Sequence, residues 1–318
     1  MKKQVAVIAI GGNSLIKDKK NVSVESQYQA AKETTYHIAD MIESGWDVAI
    51  GHGNGPQVGF ILRRSEIAHR VEGMHEVPLD VCGADSQGAI GYSLQQTLQN
   101  ELYKRGIVKS VATVITQVLV DKDDTAFKNP TKPIGGFMEE DEAKKKAEEL
   151  GWNVVEDAGR GWRRVVASPI PQEVVELPAV KDLIEAGVVV ITVGGGGIPV
   201  IDEGNRQLAG TAAVIDKDYA SSLLARKINA DLFLISTAVE KVSLNFGKPN
   251  QQDIDHMTLS EAKKYMAEGT HFAKGSMAPK MQAIIWYLEA GGKKAIITNP
   301  ENIGRALKGE TGTVIEQD

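Results

Sequence analysis

A single cysteine, Cys82, in 318 residues is too little for an intrachain disulfide or a multi-cysteine metal cluster. No apolar run approaches the roughly 18 residues of a membrane-spanning helix, and the apolar stretch after Met1-Lys2-Lys3 stops at Gly11, too short for a signal-peptide core. The chain is therefore expected in a reducing cytoplasm, without membrane contact. An excess of positive charge is missing too. Against 36 Lys and Arg stand 42 Asp and Glu, a net charge of −6, so no overall field gathers nucleic acid. Several catalytic signatures are also absent. There is no GxxxxGK[ST] phosphate loop, no strand leading into GxGxxG with a following acidic residue, no GxSxG elbow and no HExxH. Hydrolase, metalloenzyme and dinucleotide readings lose their usual support.

What is present is an ordinary globular composition, 42% hydrophobic and 25% charged, at a length that suits two domains or one large α/β unit. Short apolar runs alternate with longer stretches of helical period, the pattern of a mostly parallel sheet covered by helices. The strands are expected at Val5–Ile10, Asp47–Ile50, Val111–Val118, Val188–Val193, Leu232–Ser236, Ala295–Thr298 and Thr313–Ile315. Ala31, Thr35, Ile38 and Ile42 mark an amphipathic helix ending at Gly45. Residues 121–168 break the alternation. They hold the proline-punctuated FKNPTKPIGG (127–136), a charged helix over Met138–Leu150 with Ala143, Ala147 and Leu150 on one face, and a hairpin of Trp152–Glu156 with Trp162–Ala167. Such an insertion is a functional lid or decoration; its prolines and Lys132 favour the lid.

Three strands run straight into glycine clusters: Gly11-Gly12-Asn13, Gly51-His52-Gly53-Asn54-Gly55 and Gly194-Gly195-Gly196-Gly197. Glycine allows positive φ and close backbone approach, and successive N–H groups make anion-binding nests. At the carboxyl ends of parallel strands, three such loops would converge on one crevice. Each alone could be no more than a tight turn. Ser276 reads as an N-cap and Pro279 as an opening-turn residue, which sets Lys280 at the positive end of a helix macrodipole. There it either meets a phosphate or reaches solvent. Lys217, between Asp216 and Asp218 at another helix start, either has an oriented ammonium or is solvated. His52 either braces its loop or takes part in chemistry. Cys82 reads as a small buried residue, and Arg160, Arg163 and Arg164 as a solvated hairpin face.

Glycine nests with isolated lysines, and no clear base, nucleophile or metal cage, suit phosphoryl transfer, where positioning and charge stabilisation dominate. A carboxylate or carbamate acceptor is already anionic at neutral pH and needs no base.

The motifs GGN (11–13), GHGNGPQVG (51–59), PLDVC (78–82), QGAIGY (87–92), FKNPTKPIG (127–135), EDAGRGWRRVV (156–166), GGGGIPV (194–200), AVIDKDYAS (213–221) and GSMAPK (275–280) together resemble the carbamate kinases of the amino acid kinase superfamily. The resemblance runs in order over essentially the whole chain. GGN alone indicates only the superfamily, whereas the motifs of the insertion resemble carbamate kinases specifically.

That resemblance implies a three-layer α/β/α sandwich around a mostly parallel sheet, with a small protruding subdomain, in a homodimer. Residues 1–213 would form an acceptor lobe that includes the 121–168 lid, and residues 214–318 the nucleotide lobe. The implied reaction is reversible transfer of the ATP γ-phosphoryl group to carbamate, giving ADP and carbamoyl phosphate. Lys132, Lys217, Asp218 and Lys280 would be catalytic, Asp218 orienting the lysines. Gly11, Gly12, Asn13, Gly53, Asn54, Gly55, Gly194 and Gly195 would cradle acceptor and phosphoryl group. Thr237, Ala238, Val242, Asn245, Phe246, Ser276, Met277 and Pro279 would line the nucleotide. Mg²⁺ would ride on the nucleotide phosphates through water, with no protein ligand. Another carboxylate kinase of the superfamily, or a non-catalytic nucleotide-binding regulator, are the competing readings.

Overall fold

The computed structural model describes residues 4–11, 15–16, 22–157, 159, 161–273 and 275–318. Gly12, Asn13 and Arg160 therefore lie outside the described residues. The first half comprises β1 (Val5–Ile10), α1 (Val24–Glu43), β2 (Asp47–His52), α2 (Gln57–Glu72), α3 (Leu79–Lys104), β3 (Val111–Thr113), β4 (Gln117–Val120), β5 (Lys132–Met138), α4 (Glu140–Leu150), β6 (Asn153–Glu156) and β7 (Trp162–Val166). Then follow β8 (Pro171–Val174), α5 (Leu177–Glu185), β9 (Val189–Ile191), β10 (Ile198–Asp202), β11 (Leu208–Gly210), α6 (Lys217–Lys227) and β12 (Leu232–Ser236). The chain ends with β13 (Val242–Leu244), β14 (Gln252–Ile254), β15 (His256–Thr258), α7 (Leu259–Glu268), α8 (Met277–Glu289), β16 (Lys294–Thr298), α9 (Ile303–Leu307) and β17 (Thr313–Glu316).

The main sheet has the order β15-β17-β16-β12-β1-β2-β9-β3. From β16 to β3 every pairing is parallel, and only β17, with β15 beside it, runs the other way. β1 is central and buried on both faces, hence its unbroken apolar run. Its side chains sort the layers. Val7 and Ala9 pack in one core with Leu223 and Leu224 of α6 and Ile284 and Leu288 of α8. Ala6, Ile8 and Ile10 pack in the other, with Ile38 and Ile42 of α1 and Leu94 and Leu98 of α3. Each Val, Leu or Ile side chain among these contributes roughly 1.5–3 kcal/mol by leaving water. The result is helices on both faces of one sheet, a three-layer α/β/α sandwich. The 213/214 boundary falls inside it, since β1, β2, β9 and β3 precede the boundary and β12, β16, β17 and β15 follow it.

α1 is capped by Ser23, whose hydroxyl accepts from the Ser26 N–H, and stops before Gly45 at φ 98°. The expected strand Val111–Val118 is instead two strands in two sheets. Gln87 of α3 intercepts the chain there: its side-chain oxygen accepts from the Thr116 N–H and its amide donates to the Thr116 carbonyl. β3 therefore ends in the main sheet, and β4 begins a second sheet of order β11-β10-β4-β8. β9 is shorter than the expected Val188–Val193, because Val193 turns into the left-handed region at φ 45°. For a β-branched residue that is strained backbone.

β4 and β8 are antiparallel neighbours, so the insertion leaves and rejoins the body at one place. It forms its own antiparallel sheet, β5-β7-β6, with α4 against it. Ala143 is buried, but Leu150 is half exposed, since α4 ends there at left-handed Gly151. The subdomain lies on α2, where a Cβ on Gly59 would run into the Gly135 backbone. Arg163 and Arg164 are not a solvated face. Arg164 pairs with Glu66 of α2 at 2.7 Å and stacks on Trp152, while Arg163 donates to the Gly135 carbonyl and lies over Phe137.

Candidate active site

The neighbouring parallel strands β12, β1, β2 and β9 end side by side, and their next residues are Thr237, Gly11, Gly53 and Thr192-Val193-Gly194. At about 4.8 Å per strand the row spans roughly 14 Å, the width of one small-ligand crevice. The backbone accounting separates the glycines by role. The N–H of Gly11 donates to the Ser236 carbonyl and that of Gly53 to the Ile10 carbonyl, so these two shape the edge without a spare donor. The amides of Asn54, Gly194 and Gly195 have no acceptor among the described residues.

Side chains fix these loops from below. Asn54 donates to the Ser86 hydroxyl, which in turn donates to the Gly83 carbonyl. Gln87 donates to the Gly194 carbonyl at 2.9 Å. His52 is fully buried, and burial pulls its imidazole down to about 4, only partly offset by its bond to the Gly53 carbonyl. It is neutral at physiological pH. Because a carbonyl only accepts, Nδ1 carries the proton, donating over 2.9 Å and bracing the loop. Gly194 must be glycine, since a Cβ would strike the His52 ring.

The charged part of the site starts where α6 starts. Asp216 is the N-cap, its carboxylate accepting from the Asp218 N–H at 2.9 Å. Gly196 lies against the Ile215 carbonyl just before it, and a Cβ on Gly51 would be 2.5 Å from the Ser221 hydroxyl of α6. The helix thus rests directly on the glycine edge. α8 lies beside α6, joined by the Ser222 hydroxyl donating to the Ala283 carbonyl. Its first turn brings Lys280, although Ser276 occupies the cap position without a side-chain cap bond.

Three lysines and two aspartates meet here. Lys217 pairs with Asp218 at 2.5 Å, Lys280 with the other Asp218 oxygen at 2.8 Å, and Lys132, from the inserted subdomain, with Asp216 at 2.6 Å. Burial by itself would raise both carboxyls; the lysine field outweighs it and holds both well below the ordinary carboxylate range. Burial pulls Lys217 down to about 8, with Lys280 adding repulsion, while Lys280 itself is raised, because its burial is outweighed by Asp218 and Asp216 together. Three ammoniums against two carboxylates leave one net positive charge beside unbonded glycine-loop amides, which suits an arriving phosphate.

The expected nucleotide residues are more dispersed. Thr237 follows β12 and donates its N–H to the Thr298 carbonyl. Ala238 is exposed, whereas Val242 is fully buried in the core, its N–H donating to the Thr313 hydroxyl, so it presents nothing to a nucleotide. Asn245, at φ 52°, and Phe246, 66% exposed, lie at the β13–β14 turn. Ser276, Met277 and Pro279 open α8. No hydrogen bond or ion pair among the described residues joins Asn245 or Phe246 to Lys132, Lys217 or Lys280. Asp216, Ser86 and Gln87 were not among the expected site residues. Each sits inside or beside a quoted motif, yet its role depends on partners that sequence spacing does not reveal, such as Gly194, 107 positions from Gln87.

Residues 4–299 match the amino acid kinase family. The chain is 52% identical to the carbamate kinase-like protein YahI of Escherichia coli, over 98% of this chain and 99% of that protein. It is 51% identical to a carbamate kinase of Clostridium perfringens, over 97% and 98%. The structure of carbamate kinase from Giardia lamblia bound to AMP-PNP superposes with a TM-score of 0.91 at 42% identity, covering 100% of this chain and 99% of that one.

Proposed function

We propose that this chain, which belongs to the amino acid kinase family and within it to the carbamate kinases, and is thus a phosphotransferase, reversibly transfers the γ-phosphoryl group of ATP to carbamate. One observation carries this reading: Lys132, Lys217 and Lys280 are gathered on Asp216 and Asp218, at a helix start resting on the glycine edge.

In the forward direction the carbamate oxygen attacks the γ-phosphorus as the bond to the ADP oxygen breaks. The charge spread over the equatorial oxygens is met by Lys217, Lys280 and Lys132 and by amides of the glycine loops, among them Asn54, Gly194 and Gly195. Gly11, Gly53 and Gly55 shape the backbone of that cradle, and Asp218 aims two lysines at once. The acceptor is an anion needing no deprotonation, which agrees with the only histidine at this edge among the described residues, His52, being neutral and engaged. The Giardia lamblia relative was solved bound to AMP-PNP, which supports a nucleotide site; in this reading the nucleotide lies on the 214–318 part, along Thr237, Ala238, Asn245, Phe246 and the start of α8. Asp216 and Asp218 are already occupied by lysines, which fits Mg²⁺ carried on the nucleotide phosphates with water between. There it would supply neutralisation of the phosphate charge.

The reading extends to a cytoplasmic homodimer making ATP from carbamoyl phosphate during arginine breakdown; no helix among the described residues is long and apolar enough to cross a membrane. The test is direct. Purified chain with ADP, Mg²⁺ and carbamoyl phosphate should form ATP, and no ATP above the spontaneous background rejects the proposal. Acetylglutamate, aspartate and glutamate, assayed with ATP in parallel, should turn over far more slowly than carbamate. Faster turnover of any of them would reassign the acceptor.

A further inference from the structure

Lys132 and Asp216 are 84 positions apart and belong to different bodies of the fold, yet they make a 2.6 Å ion pair. Asp216 is mostly buried, and each of its carboxylate oxygens has a separate task. Oδ1 accepts the Asp218 N–H and caps α6, while Oδ2 accepts from the Lys132 ammonium. The backbone already runs close by. Lys132 opens β5 opposite Val166 of β7, Ala167 bridges to Ala213, and the Val214 N–H donates to the Ala167 carbonyl. Those contacts set the base of the subdomain beside α6 but do not themselves hold the Lys132 ammonium. That ammonium is fixed by Asp216.

We propose that Asp216 is a positioning residue for phosphoryl transfer: one side chain holds the lid lysine and the start of α6 in a common register, so Lys132, Lys217 and Asp218 are presented together. The proposal rests on the reading that Lys132 serves the transferring phosphoryl group. It goes further, because it gives the lid lysine a dedicated acceptor in the body and makes lid docking and lysine placement one event. Gly59 against Gly135 and Glu66 with Arg164 hold the far side of the subdomain on α2. Asp216 holds the side that faces the reaction.

Two substitutions separate the tasks of the carboxylate. Asp216→Asn keeps an oxygen for the cap but turns an amide NH₂ towards Lys132, and Asp216→Ser keeps a good N-cap that is too short to reach the lysine. ATP formation and melting temperature are measured for both, for Lys132→Met and for the double variants. Asp216→Asn should lower kcat about 100-fold, the scale for losing one preorganised charge contact. The melting temperature should stay near that of wild type and KM for ADP should change by less than about threefold. A residue that acts through a lysine has nothing to act on once that lysine is gone, so the double variant should match Lys132→Met within about twofold. Losses that multiply, or an Asp216→Asn enzyme as fast as wild type, overturn the proposal while wild-type ATP formation still upholds the carbamate kinase reading. A wild-type chain that makes no ATP overturns that reading and this inference with it. If Asp216→Asn does not fold, the same cycle through Asp216→Ser decides.

Discussion

Raising the pH should silence this enzyme before it unfolds it. Lys217 is taken out of water at the start of α6, and burial, with Lys280 adding repulsion, brings its ammonium from the ordinary 10.5 down to about 8 despite Asp218 and Asp216 beside it. That shift corresponds to about 3 kcal/mol of lost preference for the charged form. For kcat/KM, which reports the enzyme before substrate binds, the activity needing that charge should fall about tenfold for each pH unit above 8. Bound phosphates favour the ammonium, so the alkaline limb of kcat should lie higher, by about 1–3 units for a close opposite charge. Phosphate esters complete their second ionisation near about pH 6, so the limb above 8 belongs to the enzyme. Stability runs the other way. Between 8 and 10.5 the unfolded chain binds the extra proton at this lysine, so its contribution to stability rises with pH across that window. Melting temperatures taken alongside initial rates therefore distinguish discharge from unfolding. Lys217→Arg, slower but permanently charged, should show no limb below about 10. A wild-type limb absent below pH 10, or one that stays at 8 in Lys217→Arg, would refute the assignment of this charge.

Gly196→Ala should lower both stability and turnover. Its φ is 94° and a Cβ would strike the Ile215 carbonyl, so the turn must shift the residue just ahead of Asp216. Strain of that kind costs about 1–3 kcal/mol, readable as a drop in melting temperature, and undiminished kcat in the folded variant would show that this turn does not position α6. Cys82 is buried, and burial, with Asp85 and Asp80 nearby, pushes its thiol up to about 11. At pH 8 it should resist maleimide in the folded protein and react on unfolding; rapid labelling of native protein would contradict that environment.

The strands were legible because a sheet covered on both faces forces continuous apolar runs, as in Ala6–Ile10, and the three layers follow from such runs alternating with helices. The break between Val111 and Val118 was not, because it is imposed by Gln87 reaching Thr116 from another element. The same holds for Arg163 and Arg164, whose partners Phe137, Glu66 and Trp152 come from other elements of the subdomain and from α2. Glycine clusters indicated where neighbouring strands end in close-packed loops at one edge. They could not indicate which amides stay available, since the N–H groups of Gly11 and Gly53 are spent on carbonyls of adjoining strands. Lys217 and Lys280 stood out as cations at helix starts, an unfavourable place without an anion. The anions that answer them within the protein are Asp218 and, for Lys132, Asp216, and only the latter pairing joins separate bodies of the fold.

Those carboxylates explain how the cluster can hold three amines together. Unit charges a few ångströms apart repel by about 4 kcal/mol even at an effective dielectric of 20, so three bare ammoniums in this crevice would shed protons or force the helices apart. Asp218 receives two of them, one on each oxygen, and the pair responds unequally: Lys280 keeps its proton more firmly than a free lysine while Lys217 drops to about 8. Charge in the cluster is therefore nearly balanced before any phosphate arrives, with a single positive surplus. A phosphoryl group in transfer carries more negative charge than that surplus. In the proposed transfer that charge would be met by the amines and the glycine-loop amides together. On the proposed function, near-balance would favour the transition state over tight capture of either substrate, the condition for turnover in both directions.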